Sequence, residues 1–334
     1  MDSIKVMQVG VGPIGQKVVN YVLQRDGLEI VAAVDPAPDK TGRDLARLCG
    51  LNSDLGVLVR SDLATAMEDA SPEVAILTTV SSFEQCAVQA AAIVRLGVNV
   101  VSTCEEMSFP WETAPEAARR LDELAKQHGV SVLGTGVNPG FLMDFLPIAL
   151  TAVCQDVTRV KVSRLQDATF RRVPFQQKIG AGLTLEQFEA KKLTGTLRHV
   201  GLTESIQMIA ASLGWALDKT EDILSPVIAE ADIDTGYTPI RAGMAAGVRQ
   251  TGKGWVGSAE LITLEFVAAV GQAHPGDTIE IKGTPDITST IPGGVNGDIA
   301  TCAITVNAIK SVLNAQPGLR TMTDTPVVSF FARP

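Results

Sequence analysis

One feature constrains this chain more than any other: a glycine loop placed directly after an apolar, β-branched run. Gly10-Val11-Gly12-Pro13-Ile14-Gly15 fits the pattern GxGxxG, follows Ile4–Val9 without a gap, and opens a stretch that reads as a helix, Gly12–Arg25. Each part has a physical task. Gly10 permits the tight turn, Gly12 lets the backbone approach a pyrophosphate, and Gly15 lets helix and strand pack closely. Pro13 suits the first helical position, where its missing N–H costs little. The helix N-terminus, with Ile14 in its first turn, then faces phosphate charge. A second buried strand, Leu28–Val34, ends at Asp35, 20 residues beyond Gly15. Asp35 is the acid expected to hold the adenosine ribose hydroxyls. It would repel a 2′-phosphate, which favours NAD. Lys40 and Arg43 lie just beyond; either they fold back and admit NADP, or they are solvated residues at a helix start.

The alternation continues through the first 140 residues. Thr41–Leu48 reads as a helix and Val74–Leu77 as a strand. Ser81–Leu96 is a helix capped by Ser81 or Ser82, and Val98–Val101 a strand. Thr113–His128 is a helix stopped at Gly129, and Val130–Leu133 a strand. Strands buried on both faces and separated by helices imply a doubly wound parallel sheet of Rossmann type. Residues 141–294 have a different rhythm. Val157–Arg164 alternates like a strand, and Leu185–Lys192 and Leu202–Leu213 read as helices. Strand-like stretches then follow one another at Ile223–Ile233, Arg241–Gln250, Ala259–Val267, Thr278–Lys282 and Ile287–Ile291. Gly252-Lys253-Gly254 and Pro275-Gly276-Asp277 read as turns between them. This predicts an α+β domain on a mixed or antiparallel sheet, for substrate binding and dimerisation. Residues 295–325, with the helix Ile299–Leu313, return to the dinucleotide domain at 1–140.

Composition excludes several classes. The 334 residues carry a formal net charge of −9, so no basic stripe exists for nucleic acid. No apolar run is long enough to span a bilayer. The five cysteines are at least 18 residues apart, with no paired spacing, and the three histidines are isolated. That pattern points to reduced thiols in the cytoplasm and to no metal site.

Chemistry concentrates at strand ends, where open α/β sheets place ligands. Thr78 and Thr79 follow Val74–Leu77, and Ser102 and Thr103 follow Val98–Val101. Small hydroxyl residues there would line the nicotinamide ribose, or simply cap helices. Glu105 and Glu106 come next, as solvated loop acids or as a proton carrier suited to a cationic ammonium or iminium partner. Gly134-Thr135-Gly136-Val137-Asn138-Pro139-Gly140-Phe141 leads out of the last strand. Asn138 would bond the nicotinamide carboxamide, and Gly140 would let backbone come close. Phe141, Met143 and Phe145 would wall a small, apolar substrate pocket. The same segment also reads as a hinge. Arg171-Arg172 and His199 are further pocket candidates beside plainer structural roles.

The Glu105-Glu106 segment, the stretch from Gly136 to Phe141, Lys178-Ile179-Gly180-Ala181-Gly182, and His199-Val200-Gly201-Leu202-Thr203-Glu204-Ser205 together resemble the 2,4-diaminopentanoate dehydrogenase-like group. This group includes NAD(P)-dependent amine dehydrogenases and is related to dihydrodipicolinate reductase. The resemblance reaches Pro317-Gly318-Leu319. It implies reversible oxidative deamination of an amine, or reductive amination of an aldehyde or ketone with ammonia, by a homodimer. It places the catalytic glutamate on the Glu105-Glu106 pair, with Glu106 standing where sugar-dehydrogenase relatives carry the lysine of Glu-Lys-Pro. The paired histidines of dihydrodipicolinate reductase are absent. The alternatives are 2,4-diaminopentanoate dehydrogenase itself, another amino- or hydroxy-acid dehydrogenase, and a dinucleotide-sensing regulator without turnover.

Overall fold

The computed structural model describes residues 3–332 except 69, 172 and 236–238. Arg172 therefore lies outside the described residues. The chain forms two compact units, Met1–Phe141 with Asn296–Pro334, and Leu142–Val295.

The first unit contributes β1 (Ile4–Val9), α1 (Pro13–Leu23), β2 (Leu28–Val34), α2 (Leu45–Leu48), β3 (Val59–Arg60), α3 (Leu63–Ala66), β4 (Val74–Leu77) and α4 (Phe83–Val94). Then come β5 (Asn99–Ser102), a 3₁₀ turn (Glu105–Ser108), α5 (Pro115–Gln127) and β6 (Ser131–Gly134). The second unit holds α6 (Phe145–Leu150), β7 (Asp156–Asp167), α7 (Val173–Lys178), α8 (Leu185–Leu193), α9 (Leu202–Leu213), β8 (Lys219–Ile228), β9 (Ala245–Val256), β10 (Ala259–Ala269), β11 (Gly276–Thr284) and β12 (Ile287–Pro292). The chain then returns to the first unit with α10 (Gly297–Leu313) and β13 (Gly318–Arg320).

In the first unit seven parallel strands run in the order β13-β6-β5-β4-β1-β2-β3. Strand order reverses between β1 and β4, which makes their carboxyl ends the topological switch point. β4 is buried at all four residues, as a sheet covered by helices on both faces requires. Leu77, Phe83, Ile93, Met107 and Val132 belong to the core on one side of the sheet. The helix expected from Thr41 starts only at Leu45, because the Asp44 carboxylate accepts from Ala46 N (2.8 Å), Leu55 N (3.1 Å) and Gly56 N (2.8 Å) and so fixes the turn before it.

The second unit is a six-stranded mixed sheet, β12-β11-β7-β10-β9-β8, with β7 and β10 parallel and the other neighbours antiparallel. Here both turn expectations shift, and Gly276 and Asp277 already open β11, paired with β7 and β12. Gly252-Lys253-Gly254 lies inside β9, paired on both sides, and the reversal comes at Gly257 (φ +57°). The glycines serve packing instead. A Cβ on Gly252 would lie 2.8 Å from Ile206 and 3.0 Å from Leu202, so α9 sits directly on the bare backbone. Fully buried Arg164 pairs with Asp277 (2.8 Å) and donates to Val295 O (2.9 Å), while Asp277 accepts from Val295 N (2.7 Å). A buried ion pair thus ties down the last residue of this unit.

Candidate active site

The glycine loop is built as a cradle. A Cβ on Gly10 (φ +86°) would meet Thr78 O at 2.8 Å, and one on Gly15 would strike Gly10 O at 2.0 Å. A Cβ on Gly12 would meet nothing within 4 Å, so open space adjoins the loop where a pyrophosphate needs it. Gly12 is the N-cap of α1 and Pro13 occupies the first turn. No acidic side chain stands in that turn, which leaves its N–H groups suited to an anion. Pro13 is exposed and Ile14 half-buried. These residues fit a dinucleotide.

Gln8, which the sequence did not single out, braces the glycine loop. Fully buried, it donates through Nε2 to Gly10 O (2.8 Å) and to Thr78 Oγ1 (2.9 Å). Thr78 Oγ1 in turn donates to Gly10 O (2.9 Å). The Thr78 hydroxyl therefore splints the loop to β4 rather than standing free for a ribose. The available signal was a polar residue among the last four, otherwise apolar, residues of the run Ile4–Val9. Thr79 is exposed and its hydroxyl bonds Gln89.

Asp35 ends β2 almost fully buried. Its carboxylate accepts from Val11 N (2.8 Å), Ala37 N (3.0 Å) and Lys40 Nζ (2.8 Å). Burial works against ionisation, but Lys40 and the two backbone N–H groups outweigh it and hold the carboxyl below the usual range. Lys40 is thus folded back, not solvated. Arg43 is exposed and donates to Asp39 O (3.3 Å).

The acid pair sits on the 3₁₀ turn that follows β5, at the carboxyl edge of the sheet. Glu105 and Glu106 are both half-buried. Glu106 Oε2 accepts from Phe83 N (2.7 Å), the first residue of α4. Ser82, expected to cap this helix, makes no side-chain cap. A carboxylate from the neighbouring loop does so, where the helix dipole favours negative charge. Cys104 Sγ donates to Ser81 O (3.1 Å), which laces the acidic turn to the β4–α4 loop. Contact with Cys86, reinforced by burial, pushes the Cys104 thiol up. Gly134 makes this packing possible: a Cβ there would lie 2.5 Å from the Met107 carbonyl carbon.

The other expected residues take these places. Ser102 is fully buried and bridges Leu77 O and Cys104 N (both 3.1 Å), so its hydroxyl is inside the core and unavailable to a ligand. Thr103 is half-buried, and its N–H donates to Leu77 O (3.1 Å). Gly140 (φ +119°) is required by its own loop, since a Cβ would meet Gly136 N at 2.5 Å. Asn138 is buried within this loop and Phe141 half-buried. In the second unit Met143 is fully buried, which removes it from any open pocket wall, and Phe145 is half-buried at the start of α6. His199 stacks on Phe266 (centroids 4.6 Å apart) and exchanges backbone bonds with the Gln250 side chain (2.7 and 3.0 Å). Arg171 lies over the Phe175 ring (4.2 Å).

A parallel sheet with a glycine cradle at its switch point, joined in one chain to a mixed-sheet unit, is the architecture of two-domain dinucleotide-dependent reductases. Comparison with known proteins narrows the class. Residues 4–107 match the family model for the N-terminus of dihydrodipicolinate reductase, and residues 141–332 match the 2,4-diaminopentanoate dehydrogenase C-terminal domain. The chain is 32% identical to a 2,4-diaminopentanoate dehydrogenase of Acetoanaerobium sticklandii, over 98% of this chain and 94% of that protein. It is 23% identical to an amine dehydrogenase of Streptomyces virginiae, over 95% of each. The solved amine dehydrogenase of Mycobacterium smegmatis superposes with a TM-score of 0.82 at 26% identity, covering 98% of this chain and 97% of that one. The chain belongs to the 2,4-diaminopentanoate dehydrogenase family. Among the described residues no helix is long and apolar enough to cross a membrane.

Proposed function

We propose that this chain is an NAD(P)-dependent amine dehydrogenase, catalysing reversible oxidative deamination of a small amine or, in reverse, reductive amination of an aldehyde or ketone with ammonia. The observation that carries the reading is the half-buried Glu105-Glu106 turn at the carboxyl edge of the sheet that holds the glycine cradle. Its relatives' names point the same way.

The nicotinamide, when bound, supplies or accepts the hydride. The chain's own residues do the rest. Gly10, Gly12, Gly15 and the start of α1 receive the pyrophosphate, and Asp35 receives the adenosine ribose. Glu106 is held by the Phe83 N–H through Oε2 and offers its remaining oxygen to an ammonium or iminium nitrogen. A preorganised carboxylate stabilises the cationic transition state by several kcal/mol and passes a proton between nitrogen and water. The Leu142–Val295 unit carries substrate recognition and the homodimer contact, and the five free cysteines suit the cytoplasm.

The test is NADH and NADPH consumption with a panel of aldehydes and ketones, with and without ammonium. Ammonium-dependent turnover is expected. Glu106→Gln retains the cap through its amide oxygen, yet should lower turnover about 10²–10³-fold. Carbonyl reduction that ignores ammonium would move the chain to the alcohol or hydroxy-acid dehydrogenases. A second reading, oxidation of 2,4-diaminopentanoate, draws on the 32% identical relative and is tested by adding that diamino acid in the oxidative direction.

A further inference from the structure

We propose that Lys40 is the residue that admits a 2′-phosphorylated dinucleotide, so that Asp35 and Lys40 form one two-way specificity element. The proposal rests on the reading of the glycine cradle as a dinucleotide site.

The argument is a count of donors, acceptors and charges. Asp35 Oδ2 is taken by Val11 N and Lys40 Nζ, both at 2.8 Å. Among the described residues Oδ1 accepts only from Ala37 N (3.0 Å), so it keeps a lone pair for a ribose hydroxyl. An unphosphorylated ribose can therefore bind without disturbing Lys40. A 2′-phosphate would carry close to two negative charges against an isolated Asp35, and like charge would reject it. Asp35 is not isolated. The Lys40 ammonium cancels its charge while spending one of three N–H donors on it. The Lys40 side chain is 22% exposed, against 9% for Asp35, so the cation lies on the solvent side of the pair. Its other donors can take phosphate oxygens with the Asp35 contact intact.

The backbone holds Lys40 in this place. Lys40 N donates to Ala37 O (3.0 Å), and Thr41 binds Ala37 O through N (3.1 Å) and Asp35 O through Oγ1 (3.2 Å). The turn is thus closed around the carboxylate. Arg43 is the nearest rival in sequence, but its guanidinium is turned to Asp39 O on the outside of the turn.

Fragment binding tests this without turnover. Adenosine 5′-monophosphate and adenosine 2′,5′-bisphosphate are titrated calorimetrically into the wild type, Lys40→Met and Lys40→Arg, with melting temperatures recorded for each. The ratio of affinities, bisphosphate over monophosphate, should fall at least tenfold in Lys40→Met. It should stay within about threefold in Lys40→Arg, and the difference should shrink with added salt. An unchanged ratio in Lys40→Met overturns the proposal, as does equal weakening of both fragments, which is what a merely structural lysine would produce. A wild type that takes the monophosphate and refuses the bisphosphate also overturns it, and leaves the dinucleotide reading standing. If neither fragment nor NADH binds, both readings fall.

Discussion

Replacing Gly134 by alanine should disable the acidic turn without touching an acid. The added Cβ would lie 2.5 Å from the Met107 carbonyl carbon, 2.6 Å from its oxygen and 2.7 Å from its Cβ. Ordinary carbon contacts begin near about 3.5 Å, so roughly 1 Å must be found. The backbone at Gly134 lies in a region open to any residue, so alanine is not strained by conformation. β6 cannot retreat, because it is paired with β5 on one side and β13 on the other. The obstacle is main chain, which no rotamer change can clear. The 3₁₀ turn must move, and Glu105 and Glu106 move with it. Overpacking of this kind costs about 1–3 kcal/mol, and a stretched Glu106–Phe83 bond adds about 1 kcal/mol. A displacement of about 1 Å at a reacting group costs on the order of 10²-fold in rate. Three measurements separate the effects: melting temperature, NADH affinity by fluorescence, and kcat for ammonium-dependent reduction. Melting should fall, NADH affinity should stay within a few-fold, and kcat should drop about 100-fold. A variant that melts lower but turns over at the wild-type rate would show that the position of this turn does not govern the chemistry.

Three other outcomes follow from the same contacts. Gly12→Ala meets no neighbour within 4 Å, so stability should hold while dinucleotide affinity falls about tenfold or more; calorimetry with NADH decides. Asp277→Ala strands the buried Arg164 guanidinium and should cost about 3–5 kcal/mol in urea unfolding, whereas the paired change Arg164→Met with Asp277→Leu should recover most of it. Asp35 titrates below its unfolded value. Its contribution to stability is therefore complete above about pH 4 and lost as pH falls through the depressed folded pKa. Asp35→Asn should lower stability at neutral pH, with the gap to wild type closing on acidification; a gap that widens toward low pH would contradict the assignment.

The sequence was most legible where structure is local. The alternation that predicted a parallel sheet depends on short, mostly apolar runs of four to seven residues, and β2 and β4 fall where those runs lie. Boundaries slipped where a distant side chain intervened, as at the α2 start held by Asp44. The short strands β3 and β13 carry too few residues for a periodic signal and exist only through their partners β2 and β6. Around the site, the order of residues brought out the glycine loop, Asp35 and the acid pair. It gave no role to Gln8 or to Gly134, whose importance lies in atoms roughly 30 to 70 residues away along the chain.

What the chain determines by itself is the longer strands, the glycine cradle and the places where charge occurs. Each follows from residues within one turn or one strand of each other, where sterics and burial act without outside help. Only the tertiary structure decided what those charges and glycines do. Gly252 and Gly254 read as a turn until α9 is laid across them, and then they are the reason it fits. Ser102 reads as a ligand contact until β4 closes over it. Glu106 reads as either a solvated loop acid or a proton carrier, and only the fold shows that the first N–H of α4 reaches its oxygen. In each case the deciding energy is a contact between segments far apart in sequence, and no local pattern encodes the partner.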